Sequence, residues 1–312
     1  MSKPIRDLAI DRYRGVLVII MVIGNYLSGV ALVPAFLKHT PDIGFTIADL
    51  VAPAFVFVIG LNFGPSFARR SAQGFGPAYR YFGLRYLSLI GIGAIIAAGA
   101  TATGQPTDWG VLQALGIAGL IAVLFIRLAT WTRFIIGLAM LIAYQFVLDS
   151  SQLSSVLHSA HGGLFGSVSW AGLLVLATAV ADVWRRGLLR YLICVAVLIA
   201  GGVVAAVVIP VSKNRVSLSY ILVTLALSAI LLLVFEGASR LAPSRAGLMC
   251  WWGENALALY IAHLLVLALF VTPPISWWYV DASLPLVLAQ IIVILAVLSA
   301  LAWWLHRRKV RR

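Results

Sequence analysis

Acid is scarce in this chain: 10 Asp and Glu in 312 residues, against 23 Lys and Arg, for a formal net charge of +13. Charged residues of both signs reach only 11%, while hydrophobic residues make up 62%. So few charges cannot coat a soluble globule, and the composition reads as that of a membrane protein. Cysteine is nearly absent too. Cys194 and Cys250 both lie in apolar segments, which excludes a disulfide framework and a thiolate metal site, and no metal is expected. The positive charge would suggest nucleic acid in a soluble chain. Here there is no basic, aromatic-interleaved soluble segment to hold one, so nucleic acid is excluded as a partner. Long connections are also lacking: the longest are expected at about 34–45, 150–163 and 272–283. None can fold separately, so the chain is read as one domain, residues 1–312.

What is there is a succession of apolar runs. A helix needs about 20 residues to cross the hydrocarbon core. Spans are expected at approximately 15–33, 46–65, 86–103, 110–126, 134–149, 164–183, 191–210, 218–236, 249–271 and 284–304. The fold class is therefore an all-α polytopic membrane protein of about ten transmembrane helices with both termini cytoplasmic. The opening run has basic residues before it, as a signal peptide would. It continues polar-poor through Val33 without a small-residue cleavage site, and is read as a first span. Alternating the sides of these spans sorts the basic residues. Lys3, Arg6, Arg12, Arg14, Arg69, Arg70, Arg80, Arg85, Arg127, Arg133, Arg185, Arg186, Arg190, Arg240, Arg245, Arg307, Arg308, Lys309, Arg311 and Arg312 fall on one face. Lys38, Lys213 and Arg215 fall on the other. A split of 20 against 3 is the positive-inside signature and sets the orientation.

The polar residues inside this apolar pattern are few. Asn25 sits mid-span, where a side-chain amide must find a partner within the protein: an interhelical hydrogen bond on the plain reading, a site residue on the other. His39 lies in the first outer connection and Asp49 ten residues later, at the entry of the second span. Thr46-Ile47-Ala48-Asp49 also has the spacing of a capping box, so Asp49 is as well explained by a helix start as by chemistry. Asn255, Leu259 and His263 recur every four residues and share one stripe of a continuous helix. At about 1.5 Å per residue, His263 stands roughly 12 Å nearer the outer face than Asn255. Lys213, Asn214 and Arg215, with Ser217 and Ser219, stand at another outer entrance, and Gln113 opens a span at the same face. A polar ring at one mouth of an apolar bundle is a site pattern without a named substrate.

Five of these stretches resemble one family. Lys38-His39, then Thr46-Ile47-Ala48-Asp49-Leu50-Val51-Ala52-Pro53 through Gly60, resembles the K-H-x6-T-V-A-D-L-V-F-P signature of heparan-α-glucosaminide N-acetyltransferase and its bacterial relatives. Asp11 to Gly15 with Asn25-Tyr26 is similar to its D-x-x-R-G and N-Y elements. Gly110 to Gly116 resembles G-V-L-Q-R-L-G, and Gly253 to His263 resembles G-x-N-A-L-x-x-Y-x-x-H. Lys213 to Tyr220 resembles K-N-L-W-S-x-S-Y, with Arg215-Val216 in place of the Leu-Trp pair. The resemblance implies a transmembrane acyltransferase of a bacterial cytoplasmic membrane. It would move an acetyl group from cytoplasmic acetyl-CoA to an extracytoplasmic amino-sugar or glycan acceptor.

On that resemblance His39, Asp49 and Asn25 are the catalytic residues. An acceptor amine or hydroxyl must lose a proton as it attacks a thioester, and an imidazole is suited to take it. Asp49 would orient His39, and Asn25 would donate to the developing oxyanion. An acetyl-His39 intermediate is the competing version. The anionic nucleotide of the donor is expected at the cytoplasmic mouth with Arg14, Arg80, Arg85 and Asn255, although topology and lipid headgroups also explain such arginines. His263, Lys213, Arg215, Gln113 and Lys38 are expected to contact the acceptor, and the two outer cations of the Lys213 motif suit an anionic one. Membrane lipids are the other partners, and homo-oligomerisation is left open. The rival reading is a secondary transporter of a small polar or anionic solute, using the same Asn, Asp and His residues. It is disfavoured by the lack of repeated halves and of paired broken helices in the sequence.

The orientation is directly testable. With Cys194 and Cys250 replaced by alanine, a cysteine at Gln152 is expected to react with an impermeant thiol reagent added outside intact cells, and one at Gln73 is not. The reverse labelling would overturn the charge-based topology.

Overall fold

The computed structural model describes residues 7–102, 109–243 and 247–310, excluding the side chains of 100–102 and 310. Lys3, Arg6, Arg245, Arg311 and Arg312 of the expected inner set, and position 103 at the end of the third expected span, lie outside them. The described residues form helices joined by turns and irregular connections, with an isolated bridge between Ile43 and Ser212. Its helices are α1 (Leu8–Leu27), α2 (Ile47–Ser71), α3 (Phe75–Ala102), α4 (Val111–Phe125), α5 (Thr130–Val147) and α6 (Leu153–Leu157). They continue with α7 (Gly163–Arg185), α8 (Leu188–Val208), α9 (Leu218–Leu241), α10 (Leu248–Glu254), α11 (Ala256–Val271) and α12 (Leu284–Val310). Hydrocarbon offers no partner for a backbone N–H or C=O, so long apolar runs close their hydrogen bonds within helices. Seven helices are long and apolar enough to cross a bilayer, or eight if the bent pair α10–α11 counts as one, which makes this a multi-pass membrane protein. The two remaining expected spans differ for simple reasons. The α1 helix carries Asp11, Arg12 and Arg14 in its first two turns, and α4 is only 15 residues long.

Three boundaries depart from the sequence reading. The first span was expected at 15–33, but α1 starts at Leu8 because the Asp7 carboxylate accepts from the Ala9 and Ile10 amides at 2.9 and 3.3 Å. The connection expected at 150–163 is largely helical: α5 widens into a π-turn at Leu148–Gln152 and continues as α6. There Gln145 donates to the Asp149 carboxylate at 2.9 and 3.0 Å and accepts from the Leu218 amide at 3.0 Å. The third departure is a correction. The single continuous helix expected at 249–271 is two helices meeting at 95°. Asn255, at φ −117° and ψ 20°, is the corner, so it occupies the N-cap position of α11 rather than sharing an uninterrupted stripe with Leu259 and His263. Its amide donates to the Trp251 carbonyl at 2.8 Å, and its Oδ1 accepts from Lys309 of α12 at 2.7 Å.

The described residues group into two compact units. The first comprises residues up to His39, Thr46–Val51 and the chain from Ile230 onward. In it α1 packs along α10 and α11, with α12 behind them. The approach of α1 to α10 is backbone on backbone. A Cβ on Gly15 would lie 1.9 Å from the Met249 carbonyl oxygen, and one on Gly253 would lie 1.9 Å from that of Asp11. Tyr13 stacks on Phe235 with ring centroids 4.7 Å apart. The second unit comprises Thr40–Phe45 and Ala52–Ala229. Its centre is α7, buried along most of its length and packed on α4, α5 and α8. Small residues allow this, as is usual between membrane helices. A Cβ on Gly172 of α7 would meet the Gly137 carbonyl of α5 at 3.1 Å, and one on Gly60 of α2 would meet Ala177 at 2.5 Å.

In the second unit the segment 41–44 is stitched to 211–215. The Gly44 amide donates to the Val211 carbonyl at 2.8 Å, and the Asn214 amide reaches the Pro41 carbonyl. Arg215 forks onto Asp42, with Nε 2.9 and 3.1 Å from the two carboxylate oxygens and a terminal nitrogen in contact as well. Ser212 Oγ donates to the same carboxylate at 2.8 Å. The hydrogen-bonded guanidinium holds the Asp42 carboxyl below the usual carboxylate range.

Two stability outcomes follow from this packing. Gly253→Ala is expected to lower stability by about 1–3 kcal/mol, since α1 and α10 must separate. Gly24→Ala, with open space around its Cβ, should be neutral or stabilise by about 0.5–1 kcal/mol. Thermal denaturation in detergent compares the two, and equal midpoints would refute the tight contact. In a double-mutant cycle, Asp42→Asn and Arg215→Gln should show a coupling of about 1 kcal/mol, the value suited to a partly exposed pair. A depressed folded-state pKa stabilises above the unfolded value of about 3.9, and that stability is lost as pH falls through the folded value. The gap between wild type and Asp42→Asn should therefore close on acidification below pH ~4. A gap that persisted would rule out the pair as its source.

Candidate active site

The connection from α1 to α2 is fixed from both sides. The Ala31 amide donates to the Val280 carbonyl at 2.8 Å, and Lys38 Nζ reaches back to the Val30 carbonyl at 2.7 Å. A 3₁₀ turn, Ala35–Leu37, then delivers extended backbone at Lys38. The Lys38 carbonyl lies 2.9 Å from Thr46 Oγ1, at the start of α2. His39 is thereby presented beside the first turn of α2, with its Nδ1 2.8 Å from Asp49 Oδ1.

The Asp49 carboxylate serves two purposes at once. Its Oδ2 accepts from the Thr46 amide and lies close to Thr46 Oγ1, both at 3.0 Å, which starts the helix. Its Oδ1 faces the imidazole. Capping and orientation, alternatives in the sequence, are divided between the two oxygens. The exposures differ sharply: the Asp49 side chain is 0% exposed and that of His39 is 41%. A carboxylate accepts only, so the ring nitrogen facing it, Nδ1, carries a hydrogen.

A second polar pair lies in the same unit. Asn25, half-buried near the end of α1, places its Nδ2 3.0 Å from Nε2 of His263 on α11. His263 is wholly buried and turns its Nδ1 to the Tyr260 carbonyl. At the other end of α1, Arg14 lies 3.8 Å from Asp11 and 3.4 Å from the Gly253 carbonyl, beside the corner held by Asn255.

The remaining expected site residues belong to the second unit. Gln113 Oε1 accepts from the Gly110 amide at 2.6 Å, capping α4, and its side chain lies in the space over Gly93. Arg215 is engaged by Asp42, and Lys213 is half-buried. Arg80 is exposed on α3, and Arg85 lies 5.6 Å from the Tyr86 ring centroid.

Sequence reasoning missed a network behind Asn25. The Tyr26 hydroxyl donates to Gln290 Oε1, and Gln290 Nε2 donates to the Trp278 carbonyl at 2.9 Å. The Tyr279 hydroxyl donates to the Tyr26 carbonyl at 2.8 Å and accepts from the Gly29 amide at 3.2 Å. Gln290 was the available signal: it is a lone amide in the apolar run of α12, and it is buried. His306 and Lys309, near the end of α12, bind Glu254 and Asn255 at 3.0 and 2.7 Å. Their spacing of three residues puts them on one helical face.

Residues 6–165, half of the chain, match a family model described as heparan-alpha-glucosaminide N-acetyltransferase, catalytic. The human protein heparan-alpha-glucosaminide N-acetyltransferase is 35% identical over 125 residues, 37% of this chain and 18% of that protein. The chain thus spans less than a fifth of that relative's length in the matched region. Asn25, His39 and Asp49 all fall within the family match, whereas His263 lies beyond it. This membrane chain, with its imidazole–carboxylate pair at the head of α2, belongs to the heparan-α-glucosaminide N-acetyltransferase catalytic family.

Proposed function

We propose that the protein transfers an acetyl group from cytoplasmic acetyl-CoA to an amino sugar or glycan on the far side of a bacterial cytoplasmic membrane. The whole chain acts as one transferase domain with about ten crossings and both termini cytoplasmic. The observation that carries the reading is the 2.8 Å contact between a buried Asp49 carboxylate and an accessible His39 imidazole. His39 Nε2 takes the proton of the acceptor N–H or O–H as its nitrogen or oxygen attacks the thioester carbonyl. Asp49 keeps the ring in the Nδ1–H tautomer and stabilises the imidazolium. Asn25 donates to the oxyanion. Collapse of the tetrahedral intermediate breaks the C–S bond, and the imidazolium returns its proton to the departing CoA thiolate. Transient acetylation of His39 is the two-step version of the same chemistry.

Arg14, Asn255, Arg80 and Arg85 are assigned to the donor's charged nucleotide end at the cytoplasmic mouth. Lys38, Lys213 and Gln113 are assigned to the acceptor side, with Lys213 suited to an anionic group and Arg215 already engaged by Asp42. A secondary transporter of the broken-helix type has discontinuous helices in corresponding halves. One bent pair, α10–α11, occurs among the described residues.

Replacing His39 by Ala should lower acetyl transfer from acetyl-CoA to glucosamine by about 10²–10⁴-fold while acetyl-CoA still raises the melting midpoint. Asp49→Asn keeps an oxygen for Thr46 but turns an N–H toward the ring. It should lose about 10²–10⁴-fold in turnover and fold normally. A fully active Asp49→Asn protein would leave the carboxylate with capping alone, and an active His39→Ala protein would move the base elsewhere.

A further inference from the structure

We infer that His263 is a positioning residue that fixes the orientation of the Asn25 amide and does not itself meet substrate. The inference deepens the reading above and rests on Asn25 as the group that faces the reacting carbonyl. His263 is 0% exposed, so no acceptor reaches it. Both of its ring nitrogens are occupied. The Tyr260 carbonyl can only accept, so the Nδ1 it faces must carry the ring hydrogen. The Nε2 of a neutral ring then holds a lone pair, and the group 3.0 Å away must be the NH₂ end of Asn25 rather than its oxygen. The Tyr260 ring, with its centroid 5.1 Å away, packs against the imidazole.

The consequence lies in the plane of one amide. A primary amide that turns by 180° exchanges a donor for an acceptor, and at this distance the turn would set a lone pair against a lone pair. His263 forbids that turn. One Asn25 N–H is spent on it, and the other N–H and Oδ1 are held in fixed directions. An oxyanion needs a donor that is already aimed, and preorganisation of this kind is where such a site gains its rate. The same geometry removes His263 as an alternative base, because its only lone pair already accepts from Asn25. The expected acceptor contact at His263 thereby becomes an indirect role through Asn25.

The test measures acetyl transfer from acetyl-CoA to glucosamine by reconstituted protein, with hydrolysis of acetyl-CoA as a second probe. His263→Leu should lower kcat on the order of 10²-fold and leave both KM values within about two-fold. In His263→Gln the side-chain oxygen reaches the position of Nε2, and kcat should recover to within about ten-fold of wild type. A raised KM at unchanged kcat would make His263 a substrate contact and overturn the inference. A Gln variant as slow as the Leu variant would also overturn it. ¹⁵N-histidine NMR of otherwise unaltered protein reads the geometry without turnover: the His263 hydrogen should sit on Nδ1, and its Nε2 signal should move in Asn25→Leu. An unmoved signal would refute the contact even if the Leu variant fails to fold. His39→Ala in the same assay separates the two levels. Its activity would sink the site reading, whereas an inactive His39→Ala beside a fully active His263→Leu would sink only this one.

Discussion

A peptide group inside hydrocarbon has nowhere to send its hydrogen bond except along its own helix, and most of this structure follows from that constraint. Helix ends are where the constraint loosens, because the first N–H and last C=O groups lack intrahelical partners. The candidate chemistry gathers at such places. Asp49 stands in the first turn of α2, Gln113 in the first turn of α4, and Asn255 at the corner where α10 gives way to α11. A polar side chain that is needed anyway to satisfy a helix terminus can carry a second duty at little extra cost in desolvation. The Asp49 carboxylate does this with one oxygen for each duty.

The same logic explains how much was legible in the sequence. The helical class was plain from apolar runs of membrane-spanning length, and the pairing of His39 with Asp49 was readable from the Lys38-His39 motif and its resemblance. That the carboxylate both caps and orients was not, since a capping box and a catalytic carboxylate have the same spacing. The bend at Asn255 was invisible for a different reason. The segment from Leu248 to Val271 contains no proline, and Gly253-Glu254-Asn255 interrupts its apolar run without by itself requiring a bend. At the break the backbone of Asp11 lies against Gly253 and Lys309 binds Asn255, contacts that a reading of this segment alone does not contain. Arg215 read as a cation available to a ligand because its partner, Asp42, lies 173 residues away along the chain.

Two histidines of similar appearance in the sequence divide into different chemical kinds once their surroundings are known. His39 has one nitrogen tied to a carboxylate and an accessible ring. His263 has both nitrogens tied, one to a carbonyl and one to an amide, and no accessible surface. A base requires a lone pair that an incoming proton can reach, so burial and partners distinguish the two where residue type does not.

The contact between Gly15 and Gly253 carries a consequence for how this protein can vary. Where two helices meet through side chains, a bulkier residue on one can be offset by a smaller one on the other. Here the atoms opposing each glycine are main-chain oxygens, which no substitution can shrink. Neither position can be rescued by a compensating change at its partner. The contact joins Asp11-Arg12-Tyr13-Arg14-Gly15 to the Gly253 motif, so two glycines more than 230 residues apart in sequence are each held to glycine by main chain that no substitution in the other stretch can move.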